Sequence, residues 1–216
     1  VELSADGSYR ERDASGIVSG GRNATNGRTL LFSPRARLTG SVFGRRNALV
    51  LGGDWEDWDY DSVVVFPGFD SDAASVQENA ALFVQDTLDL GERTALTLGG
   101  RVQRSRTEIN ERDTFTAASS TTRTVHPKAY ELALRQALNA GFALYFKAGN
   151  SFRLATVDEN RGLAAPLDPQ TSRDREIALE YGEDGRNFRL SAYRMDVSNE
   201  IHFMFIPGGF FGLFGS

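Results

Sequence analysis

The feature that most constrains this chain is a two-residue alternation that runs unbroken from Thr94 to Gln103. Leu96, Leu98, Gly100 and Val102 fall on one face, and Thr97, Gly99, Arg101 and Gln103 on the other. Strands of soluble sandwiches usually stop after about 5 or 6 residues, whereas this pattern persists for roughly ten, the length a tilted strand needs to cross a bilayer. A preceding arm from Ala80, joined through the polar turn at 91–94, completes a hairpin. Its register stays open, because Ala81 and Phe83 on one face compete with Leu82 and Val84 on the other.

The same alternation recurs along the chain. Phe32, Ala36, Leu38 and Val42 oppose Ser33, Arg35, Arg37 and Thr39, and Leu49, Leu51 and Trp55 oppose Gly52, Asp54 and Glu56. Tyr130, Leu132 and Leu134 oppose Glu131, Ala133 and Arg135; Phe142, Leu144, Phe146 and Ala148 oppose Tyr145 and Lys147; Ile177, Leu179 and Tyr181 oppose Glu176, Ala178 and Glu180. One face wants hydrocarbon. The other carries Arg35, Arg37, Arg101, Arg135, Lys147, Glu131, Glu176 and Glu180, too many charges for a two-layer core, so it needs water or polar protein. Tyr9, Phe43, Trp55, Phe142 and Tyr181 are predicted near strand ends, as interface girdles.

Short polar turns at 43–47, 91–94, 139–141 and 183–187 recur roughly every 46 residues, as two membrane strands plus one long loop give. Long connections rich in Gly, Ser and Asp lie at 14–26, 64–75, 114–123 and 156–171, with a further tail from Phe203. The reading is an antiparallel transmembrane β-barrel with short turns at the periplasmic rim and long loops outside. About nine strands are predicted, at 1–13, 28–42, 47–62, 76–90, 94–111, 125–138, 141–153, 171–183 and 187–202. An odd count leaves free edges, so residues 1–216 are expected to be part of a larger barrel.

Composition closes off several classes. With 216 residues, 40% of them hydrophobic, and a mean hydropathy of -0.34, no apolar run approaches the ~18 residues of a membrane helix. The absence of cysteine leaves neither a disulfide framework nor a thiolate metal site. A net charge of -5 argues against nucleic acid, whose backbone demands a cationic face.

Phe83, Val84, Gln85 and Asp86, then a tight turn, then the segment LTLGGRV at 96–102, resemble the barrel hairpins of TonB-dependent outer-membrane receptors. AGNSFRLA at 148–155 is similar to that family's strand-to-loop segment built on a Phe-Arg pair. LDPQTSRDREIALEYG at 167–182 resembles its Pro-x-x-Ser strand start, and RLSAYRMDVSNEI at 189–201 its next rising strand. Order and spacing carry the resemblance over about three quarters of the chain. It implies a barrel of about 22 strands, of which this is the middle, around a plug not present in this sequence. It also implies uptake of a scarce chelate or cofactor, of iron-siderophore type, by TonB-coupled transport. The expected receptor is a monomer in outer-membrane lipid and lipopolysaccharide, with no cofactor of its own. The alternative is a smaller outer-membrane barrel with enzymatic or adhesive loops, and a third reading is a soluble β-sandwich binding module.

Captured chelates are usually anionic and ring-bearing, so basic and aromatic loop residues are the candidates for the ligand. Arg153 and Arg161 flank the loop after Phe152 and come first, followed by Trp58, Tyr60 and Phe210. Against this, Arg153 could pair with a lumen carboxylate such as Glu176 and only fix the strand end. His126 and His202 fall near the outer rim, where a haem receptor could place an axial ligand. The haem branch, however, shows Phe-Arg-Ala-Pro where this chain has Phe152, Arg153, Leu154 and Ala155. The acidic run DWEDWDYD at 54–61 could collect a cation, but it lacks the turned spacing of a calcium loop. It reads instead as a strand leaving the membrane, with Trp55 and Trp58 at the interface. Phe203, Phe205, Phe210, Phe211 and Phe214 make the tail an apolar cluster, suited either to a ligand or to packing against neighbouring loops or lipopolysaccharide. Ser119, Ser120, Asp158 and His126 are the residues an enzymatic rim would use, though no hydrolase motif frames them and no enzyme is expected.

Overall fold

The structure, a computed structural model, describes residues 1–18, 20–160, 163, 165–183, 185–205 and 212–215. Five long strands open the chain: β1 (Glu2–Val18), β2 (Gly21–Val42), β3 (Arg45–Phe66), β4 (Phe69–Asp89) and β5 (Thr94–Asp113). They are followed by β6 (Ser119–Val125), β7 (Lys128–Ala137), β8 (Phe142–Arg153), the single turn α1 (Val157–Asn160), β9 (Gln170–Glu183) and β10 (Arg186–Ser198). A small hairpin, β11 (His202–Phe205) and β12 (Gly212–Gly215), ends the series. β1 to β10 form one antiparallel sheet in sequence order, with β6 and β7 both lying against β5.

The strands outrun the nine expected. β3 has 22 residues, about 70 Å of extended chain, more than twice what a bilayer requires. The predicted connections at 14–26 and 64–75 are strand nearly throughout, since Val18 pairs with Gly21 and Phe66 with Phe69. Part of the predicted loop at 114–123 is β6. Ser105 faces Val125 and Val102 faces Lys128, so one register runs through both β6 and β7. The ladder lapses between them at Pro127, which has no N–H to give, although its carbonyl still accepts from Gln103 N–H at 3.1 Å.

The short turns cluster at the opposite end of the sheet, where Phe43–Gly44 and Ala140–Gly141 each have positive φ at both positions (52° and 73°, 56° and 74°). That geometry matches the twist of the flanking strands and allows reversal in two residues. The open register of the 80–90 arm resolves with Ala80, Leu82 and Val84 outward, because Leu82 pairs with Val102 and Val84 with Gly100. Ala81 and Phe83 therefore turn inward. Phe83 finds room there because its ring lies where a side chain on Gly52 would have to be.

Burial is inverted relative to a soluble domain. Leu82 is 68% exposed, and Leu98, Val102, Leu144, Phe146 and Ile177 on the same face are exposed as well. Apart from Ile109, the buried strand residues are small, and they lie on the opposite face: Ser33, Ser62, Ala73, Ser75, Ala81, Ser105, Ala133, Ala143, Ser172 and Ala178. A curved sheet crowds side chains on its concave side, so long polar neighbours bury the Ser and Ala there, while the convex apolar face stays open for lipid. That polar face is the lumen wall. On it Lys147 meets Glu131 at 2.6 Å, Arg135 meets Glu180 at 2.9 Å, Arg189 meets Glu176 at 2.7 Å, and Arg101 pairs with Asp54.

On the convex face the apolar band ends strand by strand at Tyr9, Leu30, Trp55, Ala80, Val102, Tyr130, Ala148, Ile177 and Ala192. Beyond each stands a polar outward residue. Tyr9 and Trp55, expected near strand ends, are thus mid-strand, at the outer limit of the band. Phe142 and Tyr181 meet at 4.8 Å between ring centroids near the periplasmic turns.

Candidate functional site: a cleft at the outer mouth of the lumen

Alternation places Trp55 and Trp58 on opposite faces of β3, so only Trp55 can serve the lipid interface. Trp58 points into the lumen, where its ring stacks on Tyr60, two residues on, with centroids 5.4 Å apart and planes 19° from parallel. Register brings β1 to the same height: Arg10 pairs with Thr29, which pairs with Trp58, and Arg12 pairs with Gly27, which pairs with Tyr60. Gly27 and Thr29 are narrow, so the two arginines and the two rings face each other over a low floor. The resulting cleft of about 650 Å³ is closed on one side by Thr156 and Asp158 of the loop after β8.

That loop is built to hold its position. Thr156 Oγ1 accepts from Glu159 N–H at 3.4 Å while Glu159 Oε2 accepts from Thr156 N–H at 2.8 Å, a reciprocal cap that starts α1. Both Glu159 carboxylate oxygens accept from Arg153 at 2.9 Å. The buried Asn160 donates to Thr156 O at 3.0 Å and accepts from Leu167 N–H at 2.8 Å, tying the outgoing chain to the return. Arg123 on β6 bonds Asp168 and the Pro166 carbonyl. Tyr60 Oη then donates to Asp158 Oδ1 at 2.9 Å, joining the strand wall to the loop.

Chemically the cleft offers two exposed guanidinium groups and two ring faces, while its one carboxylate already accepts from Tyr60. Among the described residues neither Arg10 nor Arg12 has an ion-pair partner, so both are available to an anion.

A family described as "TonB dependent receptor-like, beta-barrel" matches residues 2–214. The chain belongs to this TonB-dependent receptor β-barrel family. No curated protein sequence matches it closely enough to be paired with it. Among solved structures, the ferric yersiniabactin uptake receptor FyuA from Yersinia pestis has a TM-score of 0.76 at 12% identity, over 92% of this chain and 33% of its own. The ferric-catecholate import receptor Fiu from E. coli K12 has a TM-score of 0.69 at 15% identity, over 90% and 34%. The copper transporter OprC has 0.78 at 17%, over 98% and 38%. The chain thus spans about a third of the length of these receptors, and the shared feature is the fold. As a TonB-dependent receptor barrel it lies in the outer membrane, crossing with strands, and its family is one of transport receptors.

Of the residues singled out from the sequence, Trp58 and Tyr60 come together in the cleft and Arg153 braces its loop through Glu159. Glu176, the partner first considered for Arg153, bonds Arg189 instead. His202 is exposed just past β10, with Nδ1 2.9 Å from Glu200 O. Arg161 and Phe210 lie outside the described residues, as does Phe211. The acidic run divides across the sheet: Asp54 bonds Ser33 and Arg101, Glu56 bonds Asn79 at 2.8 Å, and Asp59 pairs outward with Arg28. No group able to hold a metal ion occurs among the described residues. The residues of the enzymatic alternative do not converge, since His126 faces outward and Asp158 stands over the lumen. Arg10 and Arg12 escaped the sequence reading, although the alternation around Tyr9 already placed them on the wet face.

Proposed function

We propose that the full receptor takes up an anionic, ring-bearing chelate of iron-siderophore type by TonB-coupled transport, and that Arg10, Arg12, Trp58 and Tyr60 form part of its binding wall. The observation that carries this reading is the pair of unneutralised guanidinium groups facing a stacked Trp-Tyr pair at the lumen mouth. Guanidinium forks match carboxylates and phenolates and stack on planar rings. Several structural neighbours are named as receptors for ferric chelates, which agrees with this chemistry. A bare copper ion, the cargo in another neighbour's name, would be repelled by two adjacent cations, so a pre-chelated anionic ligand is favoured.

In this reading Arg153 is a positioning residue that holds α1 against the cleft, and Arg161, His202 and Phe210 add further ligand contacts. The receptor acts as a monomer, and TonB acts through a plug outside these residues. Inward release requires the energised state to bind the chelate less tightly than the loaded one.

The test is a titration of the full-length receptor with ferric citrate, ferric yersiniabactin and a ferric catecholate. Whichever chelate binds, Arg10→Gln with Arg12→Gln weakens it more than tenfold, each lost charged hydrogen bond being worth roughly 1.5–3 kcal/mol. Trp58→Ala weakens it further. Unchanged affinity in both variants for a chelate the wild type binds would remove the cleft from the binding site.

A further inference from the structure

The cleft holds one charge that an anion site alone does not need. Arg10 and Arg12 on β1 stand two strands away from Trp58 and Tyr60 on β3, about 10 Å at the usual spacing, with Gly27 and Thr29 of β2 between them. Asp158 lines the same cleft on the tyrosine side, where it is bonded to Tyr60. Its neighbours in α1 fix its direction. Val157 and Asn160 are the buried residues of that turn, which leaves Asp158 exposed over the cleft.

A carboxylate beside a seat for an anion repels it, and like charges facing one another across an interface cost affinity. Two roles within the chain fail to account for the charge. The hydrogen bond from Tyr60 Oη, at 2.9 Å, needs only a neutral acceptor. α1 is a single turn of four residues and has almost no dipole for a carboxylate to offset. Nor is the charge neutralised, since Asp158 has no ion pair among the described residues although two arginines line the same cleft. Its carboxylate therefore keeps acceptor capacity beyond the one bond from Tyr60. Guanidinium groups on β1, ring faces on β3 and a spare carboxylate beside Tyr60 match a planar group with unlike charges at its two ends.

We propose that the arm of the chelate seated in this cleft is a zwitterion, an aryl group with an anionic substituent held by Arg10 and Arg12 and a protonated amine held by Asp158. This rests on the cleft being part of the ligand wall, and it narrows the ligand to chelates that carry a free amine beside an aromatic chelating group. Asp158 then selects among anionic chelates, because one without the amine leaves the carboxylate facing it unpaired.

The experiment titrates the full-length receptor, in non-ionic detergent at neutral pH, with para-(aminomethyl)benzoate and its N-acetyl derivative, following the probe by ligand-observed NMR. Plain attraction to two guanidinium groups ranks the acetylated probe first, since it alone carries net negative charge. The wild type instead binds the amine about fivefold more tightly, the scale of one exposed ion pair. Asp158→Asn, which can still accept from Tyr60, loses that preference, and Asp158→Glu keeps it. Arg10→Gln with Arg12→Gln weakens both probes. Equal binding of the two probes by the wild type, or a preference that survives Asp158→Asn, would overturn the zwitterion while leaving the cleft in place as long as binding still depends on the arginines. Binding indifferent to Arg10 and Arg12, or no binding of either probe, would overturn both readings. The comparison of probes on the wild type needs no variant to fold.

Discussion

Leu98 and Thr97 are adjacent in sequence and stand on opposite sides of the membrane wall. Leu98 is 46% exposed on the convex face, while the Thr97 hydroxyl lies 3.1 Å from that of Thr87 on the lumen side. Leu98→Arg places a charge in hydrocarbon and is expected to lower stability by roughly 2–4 kcal/mol near the midplane, whereas Thr97→Arg enters a wet lumen at little cost. Refolding into lipid vesicles under urea measures both, and equal effects would contradict the register. Two glycines make a second pair. A methyl on Gly149 would sit 2.6 Å from the Tyr130 carbonyl oxygen, a backbone atom that cannot swing away, whereas the nearest contact at Gly100 is 4.0 Å. Gly149→Ala should therefore cost about 1–3 kcal/mol and Gly100→Ala almost nothing in the same assay. Which residues face lipid was readable wherever apolar side chains alternate cleanly. It failed at Ala81, Leu82, Phe83 and Val84, where both faces are apolar and only the pairing of Leu82 with Val102 decides.

At the scale of elements, what the sequence shows depends on the solvent on each side. Inside the bilayer one face is dry and hydropathy alternates, so the crossing parts of β2, β3, β5, β7, β8 and β9 were legible. Above it both faces are wet and the signal disappears, which is why most of the Ser/Thr-rich β6 and the outermost ends of β1 to β4 read as loops. The cleft was hidden for a different reason: Arg10, Arg12, Trp58 and Tyr60 lie in stretches that read as strand, but only the registers of β1, β2 and β3 bring them to one height. The turn after β5 is a local structure in this wet zone. There the Asp113 carboxylate accepts from Phe115 N–H and Thr116 N–H, each at 2.7 Å, and from Thr116 Oγ1 at 2.6 Å. The Thr116 hydroxyl first, then the two amides, hold its pKa below the ordinary value. A carboxyl depressed by folding stabilises above its unfolded pKa of about 3.9 and loses that contribution as pH falls through its lower folded value. Cleavage after Phe115 by an acid protease, normalised to an unstructured peptide, should therefore rise as pH falls below about 3.9. In Asp113→Ala it should be high throughout, and a wild-type rate independent of pH would contradict this role.

For the molecule as a whole, the central claim is that one sheet separates lipid from an aqueous lumen. Large apolar side chains on the outside, buried Ser and Ala on the inside, and ion pairs along the lumen wall all follow from that single division. In lipid a strand edge must be paired, so the free edges of β1 and β10 are where further strands of the receptor barrel are expected to join. The absence of cysteine from these residues permits the most direct measurement. Single cysteines introduced from Leu96 to Gln103 in the full-length receptor can each carry a spin label, with accessibility to oxygen and to a water-soluble nickel chelate measured in bilayers. The account predicts a two-residue period, with positions 96, 98, 100 and 102 open to oxygen and 97, 99, 101 and 103 open to the chelate. Chelate access at every position, or the two reagents rising and falling together, would contradict the membrane barrel.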